Sequence, residues 1–196
     1  MRTLLWWLFL GCGAPVSDLA EPLPSLETEL PGDSLYQLPV VGVSQTGSET
    51  RWDAQRGHPV VVSMFYASCP AACPMLIADL QSFENSLSTE EKQDLRVVLV
   101  SLDPERDTPE ALAKIAAEHG LDDRWTLLRV PEDNVREVAA SLGIRYRPAG
   151  DGEMNHSSVL TLLDRDGRPV SRLEGLGKDA ASMREALKQQ RTGGRP

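Results

Sequence analysis

Val60-Val61-Val62-Ser63-Met64-Phe65-Tyr66-Ala67-Ser68-Cys69-Pro70-Ala71-Ala72-Cys73-Pro74-Met75-Leu76 is the stretch on which the fold of this chain turns. Its first seven residues are mostly β-branched, apolar or aromatic, the composition of a strand buried on both faces. Beyond the cysteines, Leu76, Leu80, Phe83 and Leu87 fall on one helical stripe. Pro74 suits a first helical position, where its missing N–H would have had no partner. The two thiols therefore lie at a strand-to-helix turn, Cys69 in the turn and Cys73 at the opening of the helix. Unpaired backbone N–H groups and the positive end of the helix dipole favour thiolate over thiol there. If the turn is near-helical, a four-residue spacing places the two β-carbons about 5–6 Å apart. Two sulfurs so placed can share one metal ion, and a modest closing movement lets them form a disulfide. The plain alternative is a pair of inert core cysteines. The flanking prolines and the helix-start context favour the reactive pair.

The chain has 196 residues, enough for one domain with a tail. With 20 basic against 29 acidic side chains its net charge is −9, which argues against nucleic acid and anionic lipid as partners. Three cysteines leave Cys12 over once Cys69 and Cys73 are paired. Upstream of Cys12, Arg2 is followed by Leu4-Leu5-Trp6-Trp7-Leu8-Phe9-Leu10. That run falls well short of the roughly 20 residues a membrane-spanning helix needs, and fits the core of an export signal. Phe9-Leu10-Gly11-Cys12 resembles a bacterial lipobox, so residues 1–12 are expected to end in lipidation at Cys12. Residues 13–34, with Pro15, Pro22, Pro24 and Pro31, have the composition of a solvated linker. A domain over residues 35–192 would thus be held by a lipid anchor on the periplasmic side of a bacterial envelope membrane.

Within that domain, residues 35–43 and 50–52 read as a hairpin, with Pro39 pushing the first strand to an edge. Ser88-Thr89-Glu90-Glu91 is a capping box opening a short helical turn. Residues 96–102 and 125–130 are further strands, and helices follow from Thr108-Pro109 and around Val135, Val138 and Leu142. Residues 159–163 and 169–173 flank Asp164-Arg165-Asp166-Gly167, a second hairpin signal. A last helix covers about residues 179–190. The alternation predicts an α/β domain, a central sheet with helices on both faces and an N-terminal β-hairpin. Chemistry in such sheets gathers at the carboxyl ends of the strands, where Cys69 would lie.

The three histidines can be ranked as partners for the thiols. His58, beside Gly57, reads as a solvated turn residue. His119, just before Gly120, reads as packed or C-capping. His156 lies in a loop ahead of the strand at 159–163, in a position to face the cysteine turn. Two thiolates and one imidazole make a soft set that suits Cu(I), and the nitrogen leaves room for Cu(II). A structural zinc site would call for a fourth protein ligand. Met75 and Met154 carry thioethers, with Met75 expected to pack beside the helix start.

Three features together carry a family resemblance: Cys69-Pro70-Ala71-Ala72-Cys73-Pro74, the segment Ser101-Leu102-Asp103-Pro104-Glu105-Arg106-Asp107-Thr108-Pro109, and His156. Over about residues 35–190 the chain resembles the Sco/SenC family. The resemblance implies a thioredoxin-like domain that delivers copper to an envelope cuproprotein, the binuclear copper site of cytochrome c oxidase foremost. It implies Cys69, Cys73 and His156 as copper ligands, for Cu(I) and also Cu(II). Other copper chaperones or thiol reductants would be further partners. Asp103 and Asp107 match the family's acidic segment, either supporting the ligands or meeting a partner. A loop ending in a helix cap would explain Asp107 as well. Ala71 and Ala72 stand where many relatives have an acidic or bulkier residue. The alternative function is a thiol-disulfide oxidoreductase in which Cys69 and Cys73 attack and resolve. Against it, redox pairs usually have two residues between the thiols. Asn155-His156-Ser157-Ser158 also occupies the place where thioredoxin relatives carry a cis-proline.

Overall fold

Hydrophobic runs too short to be helices and too apolar for the surface become the centre of a sheet. The computed structural model describes residues 29–149 and 153–191. The expected export signal, Cys12 and residues 13–28 lie outside the described residues. Strands β3 (Val60–Phe65), β4 (Arg96–Ser101) and β5 (Trp125–Arg129) run parallel and adjacent. All six residues of β3 are buried, as the Val-rich run requires. Parallel neighbours need crossovers, supplied by helices α1 (Ala72–Asn85) and α2 (Thr89–Asp94) after β3 and by α3 (Pro109–Glu118) after β4. Helix α4 (Glu132–Ser141) follows β5, and α5 (Ala181–Arg191) closes the described chain.

Antiparallel strands extend both sides of this centre. Strands β1 (Val41–Ser44) and β2 (Glu49–Arg51) form the N-terminal hairpin, and β1 pairs with β5. Strands β8 (Val159–Leu163) and β9 (Pro169–Glu174) form the second hairpin, and β8 pairs with β3. The order across the sheet is β2-β1-β5-β4-β3-β8-β9. A separate ribbon pairs β6 (Tyr146–Pro148) with β7 (Met154–His156).

Several sequence expectations change here. Leu35–Gln37 is a 3₁₀ turn, and the first strand starts only at Val41, after Pro39. That strand is internal, between β2 and β5, so Pro39 marks its entry and not an edge. Gly42 allows the inner position, because a Cβ there would come 2.4 Å from the carbonyl oxygen of Arg129. Trp52 opens a second 3₁₀ turn, and its indole N–H donates to the Leu35 carbonyl at 2.8 Å. Contacts of the domain begin ahead of residue 35. Ser34 is buried and caps the first turn, Asp33 pairs with Arg168, and Leu30 packs on the core. Pro74 takes the third helical position of α1 and not the first, still within the turn whose N–H groups lack helical partners. The capping box at Ser88 is present as read. His119 caps α3 ahead of Gly120. His58 is not free in a turn, because Asp94 holds its Nδ1 at 2.9 Å.

Because β3 and β4 are parallel, their carboxyl ends share one edge of the sheet, so the cysteine turn lies beside the segment after Ser101. Leu102 N–H donates across to the Phe65 carbonyl at 2.7 Å. Strand β8 runs the other way and therefore begins at that same edge, where Ser63 Oγ donates to the Val159 carbonyl at 2.7 Å. His156, three residues ahead of β8, is delivered to the thiol end of the sheet by this antiparallel pairing.

Candidate metal centre

Helix α1 starts without a side-chain cap, since Ala71 at its N-cap has nothing to offer. The Cys69 sulfur takes that role. It accepts the Cys73 N–H at 3.2 Å, and the Ala71 N–H also points to it. Tyr66 N–H in turn donates to the Cys73 sulfur at 3.5 Å. Both cysteines are buried free thiols.

Their ionisation is unequal. Burial opposes charge on Cys69, but donation from the Cys73 thiol, the Cys73 and Ala71 N–H groups and the Tyr66 hydroxyl outweighs it, so the Cys69 pKa is lowered. Burial pushes the Cys73 thiol far up, and the Cys69 thiolate and the Asp107 carboxylate push the same way against the single Tyr66 N–H. One proton shared between two sulfurs thus resides on Cys73. Iodoacetamide at neutral pH is expected to alkylate Cys69 well ahead of Cys73, read by peptide mass spectrometry. Equal rates would show that the proton is not partitioned in this way.

His156 reaches the site from β7 and not from a loop. Its Nδ1 lies 3.2 Å from the Ser157 carbonyl, so the proton belongs on Nδ1 and the lone pair on Nε2. Nε2 is buried and has no hydrogen-bond partner among the described residues. Burial also lowers the His156 pKa, which keeps the ring neutral and able to donate a lone pair. A buried acceptor without a donor is costly and uncommon in folded proteins.

Tyr66 joins the two halves. Its ring meets that of His156 edge to face with centroids 5.9 Å apart, and its hydroxyl donates to Cys69. Sequence reasoning placed Tyr66 in the strand and gave it no part in the site. Its position three residues ahead of Cys69 was the available signal. Among the described residues, no three His, Cys, Asp or Glu side chains already converge closely enough to hold an ion. The thiols are together, and His156 stands across the Tyr66 ring from them. Binding by all three calls for a shift of that ring or of the β6–β7 ribbon. The donor set, two sulfurs and one neutral imidazole nitrogen without a partner, fits a soft ion.

Within the acidic segment Asp103 and Asp107 are buried, while Glu105 and Arg106 between them are exposed. Asp107 is fully buried, and Thr108, not Asp107, caps α3. Both Asp107 carboxylate oxygens accept the Ala67 N–H at 3.1 Å, and one accepts the Ser101 hydroxyl at 2.6 Å. Asp107 therefore fastens the start of the cysteine turn to the end of β4. Asp103 is buried too, paired with Arg106. Met75 does not pack beside the helix start, since it is 52% exposed.

Comparison with known proteins matches the SCO1/SenC family model over residues 31–191. The chain belongs to the SCO1/SenC family. A SCO1 protein homolog of Bacillus subtilis is 26% identical over 176 residues, covering 88% of this chain and 85% of the relative. The structure of Bradyrhizobium japonicum ScoI with copper bound aligns with a TM-score of 0.63 at 24% identity, over 79% of this chain and 96% of that one. The structure of BsSco, a member of the Sco family of cytochrome c oxidase assembly proteins in which a disulfide switch was identified, aligns with a TM-score of 0.67 at 23% identity. It covers 78% of this chain and 91% of the other. These alignments establish the thioredoxin-like Sco fold for the SCO1/SenC domain. No helix among its described residues is long and apolar enough to cross a membrane.

Proposed function

We propose that this SCO1/SenC protein binds one copper ion through Cys69, Cys73 and His156 and hands it to a copper-receiving protein of the cell envelope. The observation that carries the proposal is the buried Nε2 of His156, without a partner among the described residues, across a single aromatic ring from two free thiols in mutual contact. Copper is the cargo. Thiolates and an imidazole hold Cu(I) well, and the nitrogen also accommodates Cu(II). Ligand exchange with a recipient's own thiols would release it. The binuclear copper site of cytochrome c oxidase is the foremost recipient, in line with the copper in Bradyrhizobium japonicum ScoI and the oxidase-assembly role of BsSco. Lipidation at Cys12, with residues 13 to about 30 as tether, would hold the domain near such a partner on the periplasmic side.

The test is a competitive Cu(I) titration of the reduced chain. One equivalent is expected to bind. Affinity should climb with pH through and beyond the ordinary thiol range, because binding must displace the proton that burial holds on Cys73. Failure to bind copper stoichiometrically would overturn the proposal. A second reading draws on the same unequal thiols: Cys69 as attacking thiolate and Cys73 as resolving thiol in disulfide exchange with the recipient's cysteines. Metal-free protein that turns over a disulfide substrate catalytically would put that reading first.

A further inference from the structure

Residues two apart on a strand point to the same side. Met154 and His156 are such a pair in β7, registered against Pro148 and Tyr146 of β6. Their shared side is the inner one. The His156 ring meets Tyr66, and Met154 is half-buried against the hydrophobic core. The Met154 N–H reaches the Tyr66 hydroxyl at 3.4 Å, the same hydroxyl that donates to Cys69. The Met154 backbone, the His156 imidazole and the Cys69 thiol thus meet around one phenol ring, and the Met154 side chain shares the ribbon face of the imidazole.

We infer that the Met154 thioether is a further, weak ligand to the ion held by Cys69, Cys73 and His156. The inference rests on the copper-binding reading above. A thioether is soft, neutral and carries no proton, so it adds a donor that prefers Cu(I) and costs no deprotonation. The other described methionines lack this placement. Met64 and Met183 are fully buried in the core, and Met75 is exposed on α1, outside the inner face of the ribbon. When Tyr66 or the ribbon shifts to bring His156 to the sulfurs, Met154 travels with His156, because both belong to one short strand.

The test compares the full chain with Met154→Leu, Met75→Leu and His156→Ala, using Cu(I) alone as the probe. Leucine conserves the volume of methionine, so packing is retained. Met154→Leu is expected to lower Cu(I) affinity about tenfold without changing stoichiometry or unfolding midpoint, while Met75→Leu leaves affinity as it is. In protein labelled with ¹³C at the methionine methyls, the Met154 resonance should shift on Cu(I) addition while those of Met64 and Met183 stay. Unchanged affinity in Met154→Leu together with an unmoved Met154 methyl would overturn the inference. If His156→Ala is weakened at the same time, the copper reading survives and only the thioether falls. If His156→Ala also binds as wild type, the copper site itself is misassigned.

Discussion

In a His156→Ala variant, Cu(II) affinity is expected to fall by roughly a hundredfold or more, and Cu(I) affinity by about tenfold to a hundredfold. The difference follows from the donors that remain. Two thiolates suffice for a two-coordinate soft ion, whereas Cu(II) depends on the nitrogen. The fold should be spared, because the ring's hydrogen bond is to the neighbouring Ser157 carbonyl and Nε2 has no partner among the described residues to lose. The variant also removes a buried neutral imidazole. A base whose folded pKa is depressed contributes stability present above its unfolded pKa and lost as pH falls through that value toward the folded one. The wild type should therefore lose stability below about pH 6.5 in a way that His156→Ala does not. Copper titrations and urea unfolding at pH 5 and pH 7.5 read both effects. Equal Cu(II) affinity in the two proteins would remove His156 from the ligand set.

Much of this architecture could be read before any coordinates. Val60 to Phe65 is too apolar to be anything but a central strand, and Leu76, Leu80 and Phe83 leave no doubt which side of α1 is inward. All three are buried on that face. Local signals with a single physical cause also held, such as the Ser88 capping box and the His119-Gly120 helix end. What escaped depended on contacts distant in sequence. Strand β1 is internal because β5, about 85 residues on, pairs with it, and nothing local to Pro39 reports that. The β6–β7 ribbon has only three residues in each strand, too few to show a period. His156 consequently read as a loop residue. Tyr66 read as the end of a strand, although β3 stops at Phe65, and not as part of a site, because the groups it touches come from the cysteine turn and from a ribbon about 90 residues away. Asp107 carried three readings, cap, support and partner contact; the cap falls to Thr108, and the bond from Ala67, distant in sequence, is what ties Asp107 to the cysteine turn.

Asp107→Ala is expected to cost about 2–5 kcal/mol of stability, since a buried N–H at Ala67 and a buried hydroxyl at Ser101 would both lose their acceptor. The cost falls at the site itself, because Ala67 lies two residues ahead of Cys69 and the carboxylate ties that turn to β4. The alkylation contrast between Cys69 and Cys73 should shrink as the turn loosens. Asp107→Asn separates shape from charge. The amide oxygen can still accept the Ala67 N–H, and the Ser101 hydroxyl can rotate to accept from the amide nitrogen. Burial is the main influence on Asp107 and raises its pKa, against donation from Ser101 and Ala67. An acid with a raised folded pKa contributes most stability below its unfolded pKa, and that contribution declines as pH climbs from about 4 through the raised value. Asparagine mimics the protonated form, so Asp107→Asn should lose less than about 1 kcal/mol at neutral pH and lack this acid-side decline. Urea unfolding from pH 4 to pH 8, paired with peptide-resolved alkylation, measures both. If asparagine proves as damaging as alanine, the negative charge and not the hydrogen-bond geometry holds the cysteine turn. If neither variant alters stability or thiol selectivity, Asp107 does not position the thiols at all.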